Sequence, residues 1–348
     1  MSFASVSFLL FFLVVLLLLL LVQRVLPFAE IKRRIICQGI LLIASYVFYG
    51  WWNMRLCLLL MGITWISFFT AVKKDEKHLR QSRISLLIGV GTPLAVLGIF
   101  KYYDFFVTSF CEVFHLTPGV LNLILPVGIS FYTFQALSYT IDVYTGKIEK
   151  EKSFLQFALY LSFFPQLVAI VKASEFLPQL KENRKVTLSG LESGIQIFVF
   201  GMFKKVVLAD NISVFVDEVY RSPQIFGSGT VALAVAAYAI QIYMDFSGYS
   251  DMAIGCAKCM GYELPVNFNL PYISHNVSEF WKRWHISLSS WLMQYLYIPL
   301  GGNRKGRIRT YVNLMITMLL GGLWHGAEWS FVLWGGLHGL ALCIHKGF

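Results

Sequence analysis

Read from its amino terminus, the chain is a succession of apolar runs separated by short polar or basic stretches. Ten such runs lie at roughly 6–22, 35–52, 56–72, 84–107, 119–141, 154–171, 190–209, 228–256, 311–330 and 331–345. An α-helix needs about 20 apolar residues to cross the hydrocarbon core of a bilayer. The runs are continuous rather than alternating, which excludes the strands of an outer-membrane barrel. The pattern predicts an all-α, multi-span integral membrane protein of about 9–10 transmembrane helices, forming a single membrane-embedded domain over residues 1–348. No internal repeat or low-complexity linker divides it.

Two places break the pattern. The run 154–171 contains Phe164-Pro165-Gln166 and lies between the basic stretches 147–152 and 181–185. One span cannot join two points on the same side of a membrane, so a re-entrant or broken element is predicted between 154 and 180. Irregular backbone at membrane depth is tolerated only inside protein or along a wet cavity. The second place is 261–309, which lacks a clean span and carries Trp281, Trp284, Trp291, Tyr295 and Tyr297. Such aromatics suit a headgroup boundary, and the region is expected to form interfacial or re-entrant helices on the cytoplasmic side. Together the two breaks point to a central cavity.

Charge adds orientation. The chain carries 29 Lys and Arg against 19 Asp and Glu, a net +10, yet only 14% of it is charged and 57% is hydrophobic. The basic residues sit in short loops, where they set membrane orientation, and do not form a nucleic-acid footprint. Lys32-Arg33-Arg34 and the stretch 73–83 are therefore expected in the cytoplasm and the amino terminus outside. The loop around His115 has no Lys or Arg, as an outside loop should. The first run lacks a basic segment before it and a small-residue cleavage site after it, so it reads as a span rather than a signal peptide. Cys256-x-x-Cys259 has no second pair or nearby His to complete a metal site. With Cys37, Cys57, Cys111 and Cys343, these cysteines read as buried small hydrophobes, and no metal is expected.

Candidate chemistry comes from ionisable residues at membrane depth, which are costly and usually face a bundle interior or a water-filled path. Asp245 and Asp251 end a long apolar run; six positions apart on a helix they point about 120° from each other. They do not form a dyad unless Gly248 breaks the helix. Bonding to backbone or tyrosine hydroxyls at a bend is the plainer role. His285, preceded by Lys282 and Arg283, suits either an interfacial belt or a site. His325 lies fourteen positions beyond Tyr311, about 21 Å of helix, with Trp324 before it and Glu328 at i+3. On one helix face Glu328 would orient the imidazole. Gly322 and Gly326, and again Gly335 and Gly339, have the spacing that lets helices approach closely. Packing explains glycines but not a histidine, whose ordinary pKa suits proton transfer. His338, thirteen positions on, is turned away from the His325 face and is secondary.

The segments DFSGYSDMAIG (245–255), FWKRWHISLSSW (280–291), YLYIPLGGNRKG (295–306) and GGLWHGAEWSFVLWGGLHG (321–339) resemble the membrane-bound O-acyltransferase family. The bacterial alginate O-acetyltransferase-like branch is the most similar. FYGWW (48–52), LPVGISFYTFQALSYTIDVYTG (125–146), FPQLVA (164–169) and FKKVVLADN (203–211) run in the same order, so the likeness covers nearly the whole chain. It implies transfer of an acyl group, acetyl in this branch, to a hydroxyl through His325, with His285 at the family's second histidine position. The donor would be acetyl-CoA or an acyl-carrier thioester on the cytoplasmic side, with no bound cofactor. The acceptor would be an extracytoplasmic polysaccharide or a partner transferase, and the location a bacterial plasma membrane. This chain has Trp291-Leu292-Met293-Gln294-Tyr295 where the branch reads Trp-Leu-Arg-Asp-Tyr. It has Ala169-Ile170-Val171-Lys172 where a Gly-Pro step is usual. The family continues through further spans after its histidine signature, and the resemblance leads to the expectation that these are missing from this chain, which stops at Phe348.

The expected mechanism follows from the residues. A hydroxyl attacking a thioester must lose its proton, and a histidine within hydrogen-bond reach can take it. His325 is the expected base and His285 the second catalytic histidine, behind it or on the donor side; Glu328 is the orienter of His325, and Trp324, Asp245 and Asp251 are supporting groups. A covalent acyl-histidine is the alternative route. Lys282, Arg283, Arg304 and Arg307 would receive an acidic carrier or the phosphates of a coenzyme. Three other functions compete. One is D-alanyl transfer to a cell-wall polymer. Another is a proton-coupled exporter subunit using Asp245, Asp251 and His325 as a relay, for which the usual repeat symmetry is missing. The last is a non-catalytic membrane scaffold.

Overall fold

The computed structural model describes residues 1–347, apart from the side chains of Leu167 and Val168; the chain end at Phe348 lies outside the described residues. The helices are α1 Val6–Leu20, α2 Glu30–Thr70, α3 Leu79–Leu97, α4 Tyr103–Phe114, α5 Ile129–Tyr144, α6 Phe154–Ser162 and α7 Ala173–Lys181. They continue as α8 Leu188–Met202, α9 Asp210–Arg221, α10 Ser228–Cys259, α11 Val277–Arg283, α12 Ile286–Leu292, α13 Arg307–His325 and α14 Trp329–Gly347. The described residues contain no strand, so the all-α expectation holds. Among the described residues four stretches are long and apolar enough to cross a membrane: Val6–Val25, Glu30–Thr70, Leu79–Phe114 and Ser228–Cys259. The ten apolar runs are thus more numerous than the helices that meet both conditions. Pro126 and Gly128, the latter at φ +74°, start α5 late within the run 119–141, leaving a helix of 16 residues. Asn53 leaves helical geometry inside α2 (φ −160°, ψ 112°), between the two runs the sequence separates there.

The chain forms two compact units. The first contains Met1–Trp51, Phe163–Val168 and Pro178–Asn267. Its centre is the antiparallel contact of α8 with α10. A Cβ on Gly194 would lie 2.7 Å from the Gly255 carbonyl oxygen, and one on Gly201 would lie 2.6 Å from that of Gly248. The reciprocal distances are 2.6 Å and 2.7 Å. Each pair is two helical turns from the other, so the backbones touch at two points where only hydrogen fits. Beside it Phe8 packs against Phe48 (5.9 Å), Phe164 (6.2 Å) and Phe198 (6.3 Å).

The same contact explains Asp245 and Asp251. Gly248 does not break α10, which runs without interruption through both acids. A π-helical segment Phe203–Ala209 follows α8 and presents two consecutive lysines. Lys204 pairs with Asp251 at 2.7 Å, and Lys205 pairs with Asp245 at 2.6 Å and with Asp210 at 2.7 Å. The acids therefore hold ion pairs across the helix crossing, in place of the backbone or tyrosine bonds expected of them.

The second unit contains Trp52–Ser162, Ala169–Leu177 and Phe268–Phe348. The predicted broken element is present: α6 stops at Ser162 in this unit, the 3₁₀ turn Phe164–Val168 belongs to the first unit, and α7 begins at Ala173. It forms without a Gly-Pro step. Its irregular backbone is satisfied by side chains, since the Ile170 N–H donates to Ser287 Oγ (3.1 Å) and Tyr160 donates to the Val171 carbonyl (3.2 Å). Trp284 and Trp291 are buried within the protein. The Trp291 indole stacks on Phe134 (3.8 Å) and donates to its carbonyl (3.0 Å), while Tyr295 donates to Asp142 (2.5 Å). Protein contacts have claimed these aromatics.

Candidate functional site

The second unit holds both candidate histidines. His325 is the last residue of α13, about 27 Å along the helix from Arg307. There the chain turns: Gly326 is extended (φ −158°, ψ 150°) and α14 starts at Trp329. α13 and α14 then pack as a hairpin whose crossing is set by glycine. A Cβ on Gly322 would meet the Phe331 carbonyl at 2.2 Å, and one on Gly335 the Met318 carbonyl at 2.4 Å. Gly326 has a different task from the one its spacing suggests. It lies outside the helix, and a Cβ there would strike the Phe331 ring at 2.1 Å.

This turn overturns one expected relation. Glu328 is not one helical turn from His325 on a common face, because helical backbone ends between them. Glu328 is exposed, accepts from Ser330 (3.2 Å), and lines an open cleft of about 500 Å³ with Lys101, Asp104, Glu112 and Trp329. His325 is oriented instead by rings: Trp334 at 5.0 Å, Trp324 at 5.1 Å and Phe331 at 6.4 Å. Among the described residues its imidazole makes no hydrogen bond. Its nitrogens remain available to a reactant.

His285 is brought close, its ring centroid 6.4 Å from that of His325. It is fully buried. It occupies the left-handed backbone region (φ 43°, ψ 56°), where α11 gives way to α12. For a residue with a Cβ that conformation costs on the order of 1 kcal/mol or more, and such strain clusters at functional positions. Trp324 packs against both histidines, 5.6 Å from His285, and Phe131 lies against Trp324 at 5.2 Å. His338 is nearer than expected. Trp334, which contacts His325, also packs on His338 at 4.5 Å, and Trp281 on it at 5.2 Å.

A cavity of about 190 Å³ opens beside His325. Its walls are apolar, drawn from Trp281, Leu288 and Leu292 on α11–α12, Met318 and Gly321 on α13, and Trp334 on α14. Met293 and Tyr297, which begin and end a π-helical turn, also line it. The site is thus a histidine at the edge of an apolar-walled pocket, with a second histidine buried next to it. It offers a proton acceptor beside apolar walls. Among the described residues no group of His, Cys, Asp or Glu is placed to hold a metal ion.

The nominated cations divide. Lys282, Arg304 and Arg307 are exposed. Arg283 is committed to Glu279 at 2.8 Å and to the Asn269 carbonyl at 3.3 Å. The His275 N–H and the Arg283 guanidinium hold the Glu279 carboxyl below its usual range. Asp245 and Asp251 belong to the first unit and are ion-paired there.

Sequence reasoning missed Lys101 and Tyr102, on a π-helical turn Gly98–Tyr102 between α3 and α4. Lys101 donates to the Trp324 carbonyl and to Ser130 Oγ (3.0 Å), and Tyr102 donates to the Leu323 carbonyl (3.0 Å). The signal was a lone lysine inside the apolar run 84–107.

Residues 147–348 match the model of the membrane-bound O-acyltransferase family, covering α13, α14 and both histidines. The chain belongs to the membrane-bound O-acyltransferase family. It is 44% identical over 317 residues to the probable alginate O-acetylase AlgI of Pseudomonas putida, a match covering 88% of this chain and 64% of that protein. It is 40% identical over 337 residues to the peptidoglycan O-acetyltransferase of Helicobacter pylori, with 88% and 64% covered. The teichoic acid D-alanyltransferase of Streptococcus thermophilus is 30% identical over 247 residues, with 67% and 59% covered. The chain spans a little under two thirds of the length of these relatives. As a member of this family with helices apolar enough to span, it is a membrane protein.

Proposed function

We propose that this protein transfers an acyl group, in the first instance acetyl, from a thioester to a hydroxyl, with His325 as general base. The observation that carries the reading is His325 at the rim of an apolar cavity, unbonded and backed by a buried, backbone-strained His285. His325 takes the proton of the incoming hydroxyl as its oxygen attacks the thioester carbonyl. Collapse of the tetrahedral adduct releases the thiolate, which receives that proton. The apolar walls keep water, the competing nucleophile, from the thioester. His285 and Trp324 hold the imidazole in place by packing.

The donor is acetyl-CoA or an acyl-carrier thioester approaching from the cytoplasm of a bacterial cell. Lys282, Arg304 and Arg307 supply a basic face for its acidic groups. Arg283 is structural in this account, and so are Asp245 and Asp251. The acceptor is a hydroxyl of an extracytoplasmic polysaccharide or cell-wall polymer, or of a partner transferase. Similarity to two proteins named for O-acetyl transfer favours acetyl. The lower similarity to a D-alanyltransferase makes D-alanyl the second reading. Membranes containing the full chain, supplied with labelled acetyl or D-alanyl thioester and polymer, separate the two. Label should enter the polymer from the acetyl donor. Incorporation only from D-alanyl donor, or none from either, would overturn the assignment.

A further inference from the structure

We propose that Lys101 is a positioning residue, holding His325 for proton transfer by clamping the carboxyl end of α13. The proposal rests on the reading of His325 as the base.

The last carbonyls of an α-helix have no partner within it. At α13 two of them are met from outside in reverse order: Tyr102 donates to Leu323 (3.0 Å), and Lys101 to Trp324. The extra residue of the π-helical turn Gly98–Tyr102 lets neighbouring side chains reach neighbouring carbonyls. Ser130, in the first turn of α5, accepts a second bond from the ammonium at 3.0 Å. A cation here also complements the partial negative charge of the helix end.

The bond to Trp324 has a geometric consequence. Its carbonyl belongs to the peptide unit that continues into the nitrogen and Cα of His325, and that unit is planar. Anchoring the oxygen therefore holds the His325 nitrogen and Cα in place, and with the helical φ of this last residue of α13 it sets the direction in which the side chain leaves the backbone. The residue that follows, Gly326, contributes no side chain to hold it. An ammonium within a candidate span is costly unless it has partners, and here one partner is the end of α13 and the other the first turn of α5.

The test compares purified full-length protein with Lys101→Met, which keeps the side-chain length, and Lys101→Arg, which keeps charge and donors. The readouts are kcat, and KM for the thioester donor, per monodisperse molecule. Displacement of a catalytic group by about 1 Å costs on the order of 10²-fold. Lys101→Met should accordingly lower kcat about ten- to hundredfold with donor KM within about twofold of wild type. Lys101→Arg should recover part of kcat. Wild-type kcat in Lys101→Met, a change in KM alone, or equal losses in the two variants would overturn the proposal. Should Lys101→Met not fold, Tyr102→Phe removes one hydroxyl from the same clamp. It should lower kcat roughly three- to tenfold, as for loss of a neutral hydrogen bond, and an unchanged kcat overturns the proposal. His325→Ala is assayed alongside. If His325→Ala is active, the base reading fails; if it is inactive while Lys101→Met matches wild type, only the clamp fails.

Discussion

Asp251→Asn should destabilise the protein severely, whereas Lys204→Met combined with Asp251→Asn should restore most of the loss. The two side chains are 15% and 24% exposed, with charges 2.7 Å apart. At an effective dielectric near 20 that separation corresponds to a gross attraction of roughly 6 kcal/mol, which the cost of desolvating both ions largely offsets. Removing one partner leaves a lone charge beside the Gly201–Gly248 contact, a change that costs about 3–5 kcal/mol in buried pairs. Partial exposure places this pair near the lower end, about 3 kcal/mol, or roughly 150-fold in the folded-to-unfolded ratio. Removing both partners should return to within about 1–2 kcal/mol of wild type. Unfolding in detergent is commonly irreversible, so the useful assay is the fraction remaining monodisperse after graded heating of the four proteins. Acyl transfer is measured on the survivors. A double variant as unstable as Asp251→Asn would refute the pairing argument. A stable double variant without activity would restore Asp251 to the chemistry and revive the proton-relay reading.

Other outcomes follow from the same structure. Gly326→Leu should give poorly assembled protein, because any Cβ there strikes Phe331; normal yield and monodispersity would show that the turn adapts. Replacing Lys282, Arg304 and Arg307 with Gln should raise donor KM while sparing kcat, more at low salt, where the screening length exceeds about 10 Å. Unchanged donor dependence would reduce these residues to topology signals. Single cysteines in 73–83 and 304–309 should resist impermeant thiol reagents in intact cells, as cytoplasmic loops do. Ready labelling of either would reverse the orientation.

The apolar runs and their interruptions were legible because the bilayer imposes a length that composition alone reveals. Helix boundaries fall close to the runs at α1, α10 and α14, and the break around Pro165 followed from two basic stretches on one side. Local periodicity carried the reading too far at Glu328. Helical spacing was extended across Gly326, a residue that commonly follows a helix end. Long-range partners were the main blind spot. Nothing near Asp245 or Asp251 announces Lys205 or Lys204, some forty residues earlier. The π-helical turns that present Lys101, Lys204 and Lys205 have no simple periodic signature. The aromatics of 281–297 carried an ambiguity of their own, since a tryptophan suits both a headgroup belt and a packed core. The histidines stood out because an apolar environment offers few other reasons for them.

The central claim is that His325 accepts the proton of the attacking hydroxyl, and the most direct measurement is the kcat of purified His325→Ala with saturating thioester and acceptor. Loss of a general base predicts a fall of roughly 10²–10⁴-fold, with the variant as monodisperse and heat-resistant as wild type. A kcat within about threefold of wild type, or inactivity that tracks loss of folded protein, would contradict the account.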